Sequence, residues 1–207
     1  NPKGTLTGSN QLFSAIGIDS YVRILSDPQN PYGTWFLNTL LIAVVTGAVT
    51  VFIGACAAYA FSRMRFAGRR VGLVTIVVVQ MFPQLLAVVA IFLLMSTLGD
   101  WFPAIGLNTH TGLILVYLGG ALGVNTYLMY GFFNTIPKEI DEAARIDGAG
   151  HARIFFTIIL RLVAPILAVV GLLSFIGTVN EYVIASVMLV DVDQQTLVVG
   201  LTKLVAN

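Results

Sequence analysis

Charge is scarce in this sequence. Of 207 residues only 10% are charged and 57% are hydrophobic, whereas a soluble globular domain carries about 25% charged residues. The mean hydropathy of +0.89 points the same way, to a chain whose solvent is largely lipid. Cysteine is nearly absent, and the single Cys56 excludes an intrachain disulfide. It lies in an apolar run and reads as a small packing residue. Histidine is almost as rare, and His110 and His151 fall in segments expected on opposite sides of a membrane, so they cannot pair. The sequence shows no metal-ligand cluster, no nucleophile–base constellation and no phosphate-cradling P-loop. It therefore offers no catalytic or metal site, and any ATP-driven work needs an ATPase on another chain. A basic-then-apolar leader is also missing before the first polar stretch. The first residue is Asn1 rather than methionine, so the chain is expected to be part of a longer polypeptide.

Long apolar runs are abundant instead. A membrane helix needs about 20 mainly apolar residues, and four segments meet that test: 35–61, 71–98, 111–133 and 154–178. The basic residues then set the orientation. Arg63, Arg65, Arg69 and Arg70 lie between the first two spans, and Lys138, Arg145, Arg153 and Arg161 between the last two. The 99–110 loop has no Lys or Arg. The positive-inside rule places the two basic loops in the cytoplasm, so residues 1–34 and 179–207 face outside. The predicted fold is all-α, a polytopic bundle of transmembrane helices. Residues 1–33 form an external segment and 34–207 the membrane core, with a cytoplasmic loop at 135–161 and an external loop at 179–207.

Details within the spans suggest packed helices. Ala43, Gly47, Gly54 and Ala58 make a small-residue stripe that lets backbones approach closely. Trp35, Tyr59 and Phe61 fit interfacial aromatic belts. Gly119, Gly120 and Gly123 loosen the third span. Pro83 and Pro165 each remove a helical hydrogen bond, so kinks are expected there. Polar groups at membrane depth must pair or meet water. Gln80 and Gln84 share one face of the second span, Asn125 lies in the third, and Ser174, Thr178, Asn180 and Glu181 close the outer end of the fourth. Two readings stay open for them: interhelical hydrogen bonds, or the lining of a path for a neutral, hydroxyl-rich solute.

The stretch from Thr135 to Ala149 has its own pattern. Thr135 can cap a helix and Pro137 suits its first turn. Glu139, Asp141 and Glu142 sit near the positive end of the helix dipole. Ile136, Ile140, Ala143 and Ala144 share a face at helical spacing, and Gly148 supplies a left-handed stop. The result is a short amphipathic helix on the cytoplasmic face, which either rests on lipid headgroups or docks a partner.

Glu142-Ala143-Ala144, three residues, Gly148, nine residues, then Ile158-x-Leu160 resembles the EAA motif of ABC importer permeases. Arg161 stands where that motif ends in proline, and Pro165 follows four residues later. Further stretches are similar to the permeases of maltose and maltodextrin importers: Tyr59 to Phe66, Gln80-Met81-Phe82-Pro83, Gly106 to His110, Tyr117 to Gly120, and Asn180-Glu181-Tyr182. The resemblance covers nearly the whole chain. It implies the MetI-like type I permease fold, with four spans here of an expected six.

It also implies partners. In that family two permease subunits form one pathway on two ATPase subunits, which bind ATP and Mg, and an extracytoplasmic solute-binding protein delivers the sugar. No nucleic acid is involved. The resemblance gives ATPase coupling to Glu142, Ala143, Ala144, Asp147 and Gly148. It gives contact with the binding protein to Asp191, Asp193, Gln194 and Gln195, within a loop running to Thr196. Gln80, Gln84, Asn125, Asn180 and Glu181 stand as translocation-path candidates. A permease for peptides, amino acids or another small polar solute is the alternative within this class.

Overall fold

The computed structural model describes Val22 and residues 30–206; the side chains of Gln84, Val205 and Ala206 also lie outside the described residues. Most of the 1–33 segment is therefore outside them too. The first apolar run has no proline after its start and forms one helix, α1, Tyr32–Arg63. Its 32 residues span about 48 Å at 1.5 Å per residue. The second run breaks at Pro83, giving α2, Arg69–Gln80, and α3, Gln84–Trp101. The third is continuous as α4, His110–Phe133, with the Thr109 hydroxyl accepting from the Gly112 N–H at 3.1 Å as an N-cap. The short amphipathic helix is α5, Lys138–Ile146.

The fourth run is sharply bent into two helices. α6, His151–Leu162, meets α7, Ala164–Asn180, at 77°. Val163 (φ −92°, ψ 2°) makes the corner, and Pro165 occupies the first turn of α7, where its missing N–H costs nothing. Arg161, in the place of the motif proline, lies two residues before the corner. Ile154–Ile159 within α6 is wound as a π-helix. The segment beyond residue 179, expected as an external loop, contains α8, Val183–Met188, and α9, Leu197–Ala206. Among the described residues there is no strand.

Two buried clusters organise the bundle. One joins α1, α4, α5, α6 and α7 through Ala58, Tyr59, Met129, Phe133, Ala144, Ile159 and Val170. The other joins α1, α3, α4, α8 and α9 through Ile42, Met95, Leu113, Ile184 and Val199. The small-residue stripe on α1 lies between them and is buried throughout. A Cβ on Gly47 would sit 3.5 Å from the Gly171 carbonyl of α7, and one on Gly54 would sit 3.3 Å from Met129 of α4. Two of the three belt aromatics turn inward instead. Trp35 is 2% exposed and Tyr59 4%. Gly200 of α9 makes room for Trp35, because a Cβ there would overlap the indole, and Tyr59 packs on Phe155 with ring centroids 5.0 Å apart.

The contact at Gly47 is with backbone, which cannot swing aside. Gly47→Ala is expected to be near neutral, since 3.5 Å is an ordinary contact. Gly47→Leu should lower stability by about 1–3 kcal/mol through overpacking, read as an earlier thermal transition of the detergent-solubilised protein.

Candidate functional site at the two ends of the bundle

The two basic loops meet at one end. Arg63, Arg65, Lys138, Glu142, Arg145 and His151 line a common cleft of about 600 Å³, and the positive-inside rule makes this the cytoplasmic end. Here the C-terminus of α1 holds α5. Arg63 Nε lies 2.8 Å from Asp141 Oδ2, with the two side chains 2% and 4% exposed, and Arg63 Nη2 donates to the Ile136 carbonyl at 2.9 Å. Neither residue stood among the coupling candidates read from the sequence. A buried arginine at the end of an apolar span was the available signal, but its partner is distant in the chain.

The start of α5 differs from expectation. Thr135 does not cap it, because its hydroxyl donates back to the Phe132 carbonyl at 2.8 Å. The helix begins two residues later, with Pro137 at its N-cap. Its end is as expected. Gly148 has φ +80°, its N–H bonds the Arg145 carbonyl at 2.9 Å, and the Ala149 N–H bonds that of Ala144 at 2.9 Å. This pair of bonds is a Schellman motif, which requires the left-handed residue.

The faces of α5 also sort differently. Asp141 and Ala144 are buried and Ile140 is half-buried, whereas Glu139, Glu142, Ala143, Asp147 and Gly148 are exposed. Ile146 is 87% exposed. Positions 139, 142, 143 and 146 form one stripe at helical spacing, so the helix offers outward a face of two carboxylates and two apolar side chains. Of the coupling candidates, Ala144 alone points into the bundle.

At the opposite end, loops and helix starts are bound together. Trp35 Nε1 donates to the Val192 carbonyl at 2.7 Å. Asn38 Nδ2 donates to the carbonyls of Asp193 at 2.8 Å and Gln195 at 3.1 Å, and Thr39 Oγ1 accepts from the Leu197 N–H at 2.7 Å. Asn108, left-handed at φ 62°, accepts from the N–H groups of Val190 and Asp191 at 3.1 and 3.0 Å. Its amide also meets the Asp191 carboxylate. His110 Nε2 lies 3.0 Å from the Gln194 carbonyl. Asp191 and Asp193 are exposed and Gln194 half-buried. Gln195 is instead fully buried, its amide donating to the Val190 carbonyl at 3.0 Å, so it braces the loop from within.

The polar groups at membrane depth are largely paired. Gln80 donates to the Gly120 carbonyl and accepts from the Val124 N–H at 3.1 Å. It thus serves both ends of one helical turn of α4, over Gly123, whose Cβ would overlap its amide. Asn125 Nδ2 donates to Ser174 Oγ at 2.9 Å, joining α4 to α7. Glu181 accepts from the Tyr117 hydroxyl at 2.6 Å and from the Ile184 and Ala185 N–H groups at 2.8 and 3.0 Å. It therefore caps α8. Asn180 is exposed and bonds only its own helix, at the Ile176 carbonyl. The side chain of Gln84 is outside the described residues.

Residues 33–204 match the family described as "Binding-protein-dependent transport system inner membrane component". The maltose/maltodextrin transport system permease protein MalG of Vibrio vulnificus is 42% identical over 191 residues, covering 92% of this chain and 63% of that protein. The maltodextrin permease MdxG of Bacillus subtilis is 39% identical, covering 92% and 66%. The galactooligosaccharides permease GanQ of the same organism is 38% identical, covering 99% and 71%. A chain of the crystal structure of a bacterial ABC transporter involved in the import of the acidic polysaccharide alginate superposes with a TM-score of 0.77 at 32% identity, covering 91% of this chain and 63% of that one. The chain therefore spans roughly two thirds of the length of these relatives.

Breaking a buried ion pair leaves an unpaired charge and costs about 3–5 kcal/mol. Arg63→Gln or Asp141→Asn should therefore release α5 from α1. Trypsin cleavage after Lys138 and Arg145 is expected to accelerate in either variant, and the exchanged pair Arg63→Asp with Asp141→Arg should recover much of the protection.

Proposed function

The chain belongs to the family of binding-protein-dependent transport system inner membrane components, is a multi-pass membrane protein, and on that footing we propose that it is a permease subunit of an ATP-driven importer for carbohydrate. Maltose, maltodextrin or a related oligosaccharide is the solute class, in keeping with the maltose/maltodextrin and galactooligosaccharides permeases among its relatives. With a second permease subunit it forms the translocation path. Two ATPase subunits bind ATP and Mg and hydrolyse the nucleotide, and this chain carries none of that chemistry.

The observation that carries the reading is α5. It is a helix held at a fixed angle by Arg63, stopped by a left-handed Gly148, and left with Ile146 87% exposed. A helix resting only in headgroups needs no such anchoring. We assign the outward stripe of Glu142, Ala143 and Ile146, with Asp147 and Gly148 at its end, to the ATPase cleft, and give Ala144 the inward role of seating the helix. At the outer end, Asp191, Asp193 and Gln194 face the solute-binding protein. Gln80, Asn125 and Glu181 act chiefly by positioning the helices around the path, and Asn180, unpaired to any other helix, is the candidate to meet solute.

Proline cannot adopt φ +80° and has no N–H to give the Arg145 carbonyl. Gly148→Pro should therefore abolish sugar-stimulated ATP hydrolysis by the complete importer in vesicles while membrane insertion survives. Unchanged stimulation would remove α5 from the coupling role. Loss of uptake of labelled maltose, trehalose or maltodextrins in a deletion strain identifies the solute, and loss of none of them, with peptide or amino-acid uptake lost instead, would overturn the carbohydrate assignment.

A further inference from the structure

A second concavity adjoins the cleft that holds α5 and shares Arg65 and Arg69 with its lining, whereas Asp141 and Glu142 line only the first. It has a volume of about 540 Å³ and is lined by Arg65, Arg69, Arg70 and Tyr130 with Phe66 and Leu73. Gly68, at φ +84°, turns the chain between Arg65 and the start of α2, so arginines from both sides of the turn face one space. Arg69 is held in place: its Nη2 donates to the Tyr130 hydroxyl at 3.3 Å, and its guanidinium lies 5.9 Å from the centre of that ring. No acidic residue lines the cleft. Among the described residues Arg63 has its carboxylate, but Arg65, Arg69 and Arg70 have none within ion-pairing distance. Three guanidinium groups sharing one cleft repel each other unless an anion lies between them.

The surroundings specify what kind of anion. Val71, Val74 and Val78 are 69%, 61% and 57% exposed. At spacings of three and four they form one apolar stripe along α2, starting at the cleft and running toward the membrane interior. Phe66, 46% exposed, stands at its mouth. We propose that this cleft binds the headgroup of an anionic phospholipid, with the phosphodiester among the three arginines and an acyl chain along the valine stripe. A free phosphate would fill the charged part and leave the stripe bare. A zwitterionic headgroup would bring its ammonium toward the arginines. The inference depends on the membrane placement of the chain and on the cytoplasmic position of the arginines, and not on which solute is carried.

The complete importer is purified from vesicles of phosphatidylcholine with or without phosphatidylglycerol, and retained lipid is counted by native mass spectrometry. Wild type should keep one phosphatidylglycerol per copy of this chain. Each basic residue near the surface contributes about a factor of five to anionic-lipid affinity, so R65Q/R69Q/R70Q should weaken retention by about 100-fold. R65K/R69K/R70K keeps the charge and should retain most of the binding, which separates recognition from misfolding. Equal retention by wild type and the glutamine variant would overturn the proposal. So would displacement of the lipid by glycerol phosphate at equal concentration, which would make this a phosphate site. Loss of the lipid whenever the ATPase subunits are bound would overturn it as well, by giving the arginines to that interface. The Gly148→Pro importer should bind the lipid normally, so failure of the coupling assignment and failure of this one are told apart.

Discussion

Bringing an arginine and an aspartate together out of water costs several kcal/mol per ion, and the cost is recovered only when the geometry is tight and the remaining donors find acceptors. At the cytoplasmic end of this bundle Arg63 meets Asp141 at 2.8 Å and also reaches the Ile136 carbonyl, so the cost is only partly recovered: Arg63 Nη1 and Asp141 Oδ1 find no partner among the described residues. The arrangement is unforgiving. The short helix α5 cannot drift from the end of α1 without stranding one charge in an apolar setting. Because α1 is unbroken from Tyr32 to Arg63, the constraint extends through the bundle. The other end of the same helix is bound to the external loop through Trp35, Asn38 and Thr39. Two surfaces far apart are thereby attached to one continuous element, while the second and fourth apolar runs are divided by breaks.

Those breaks set a contrast within the fold. α1 and α4 are continuous, and the small-residue stripe of α1 meets α7 at Gly47 and α4 at Gly54. The division at Pro83 and the corner at Val163 leave α2 with α3, and α6 with α7, as separately directed helices. The corner places α6 beside α5 at the cytoplasmic end, so the loop between α4 and α7 is built from two helices packed on Ala58, Tyr59 and Phe133 rather than from a flexible link.

What could be read from the sequence was mostly local. Gly148 was legible because a helix stop followed by a left-handed turn depends on one backbone angle that only certain residues tolerate. The stripe of Ala43, Gly47, Gly54 and Ala58 was legible because it repeats at helical period within one span. The breaks at Pro83 and Pro165 followed from a missing N–H. Trp35 and Tyr59 were assigned to a headgroup belt because their position near a span end says nothing of what lies across from them; Gly200 and Phe155, far along the chain, turn them inward. Thr135 has two equivalent uses, capping forward or bonding back, and only the adjoining helix end decides. The pairing of Arg63 with Asp141 leaves no periodic trace, since each residue alone looks like an ordinary charge at a membrane edge. Gln80, Asn125 and Glu181 carried two open readings; the structure gives each of them hydrogen bonds to groups on α4, α7 or α8 that no periodicity in the sequence marks.

The nine residues of α5 are too few to hold a helix alone in water, where roughly 12–15 are needed even for favourable sequences. Here the helix exists before any partner arrives, closed at one end by the bonds around Gly148 and pinned in the middle by Arg63. Ordering a segment at the moment of contact would weaken association. A surface already in its final shape escapes that penalty. The speed with which this face can be engaged and released is then governed by diffusion and the separation of two finished surfaces, with no folding step in between.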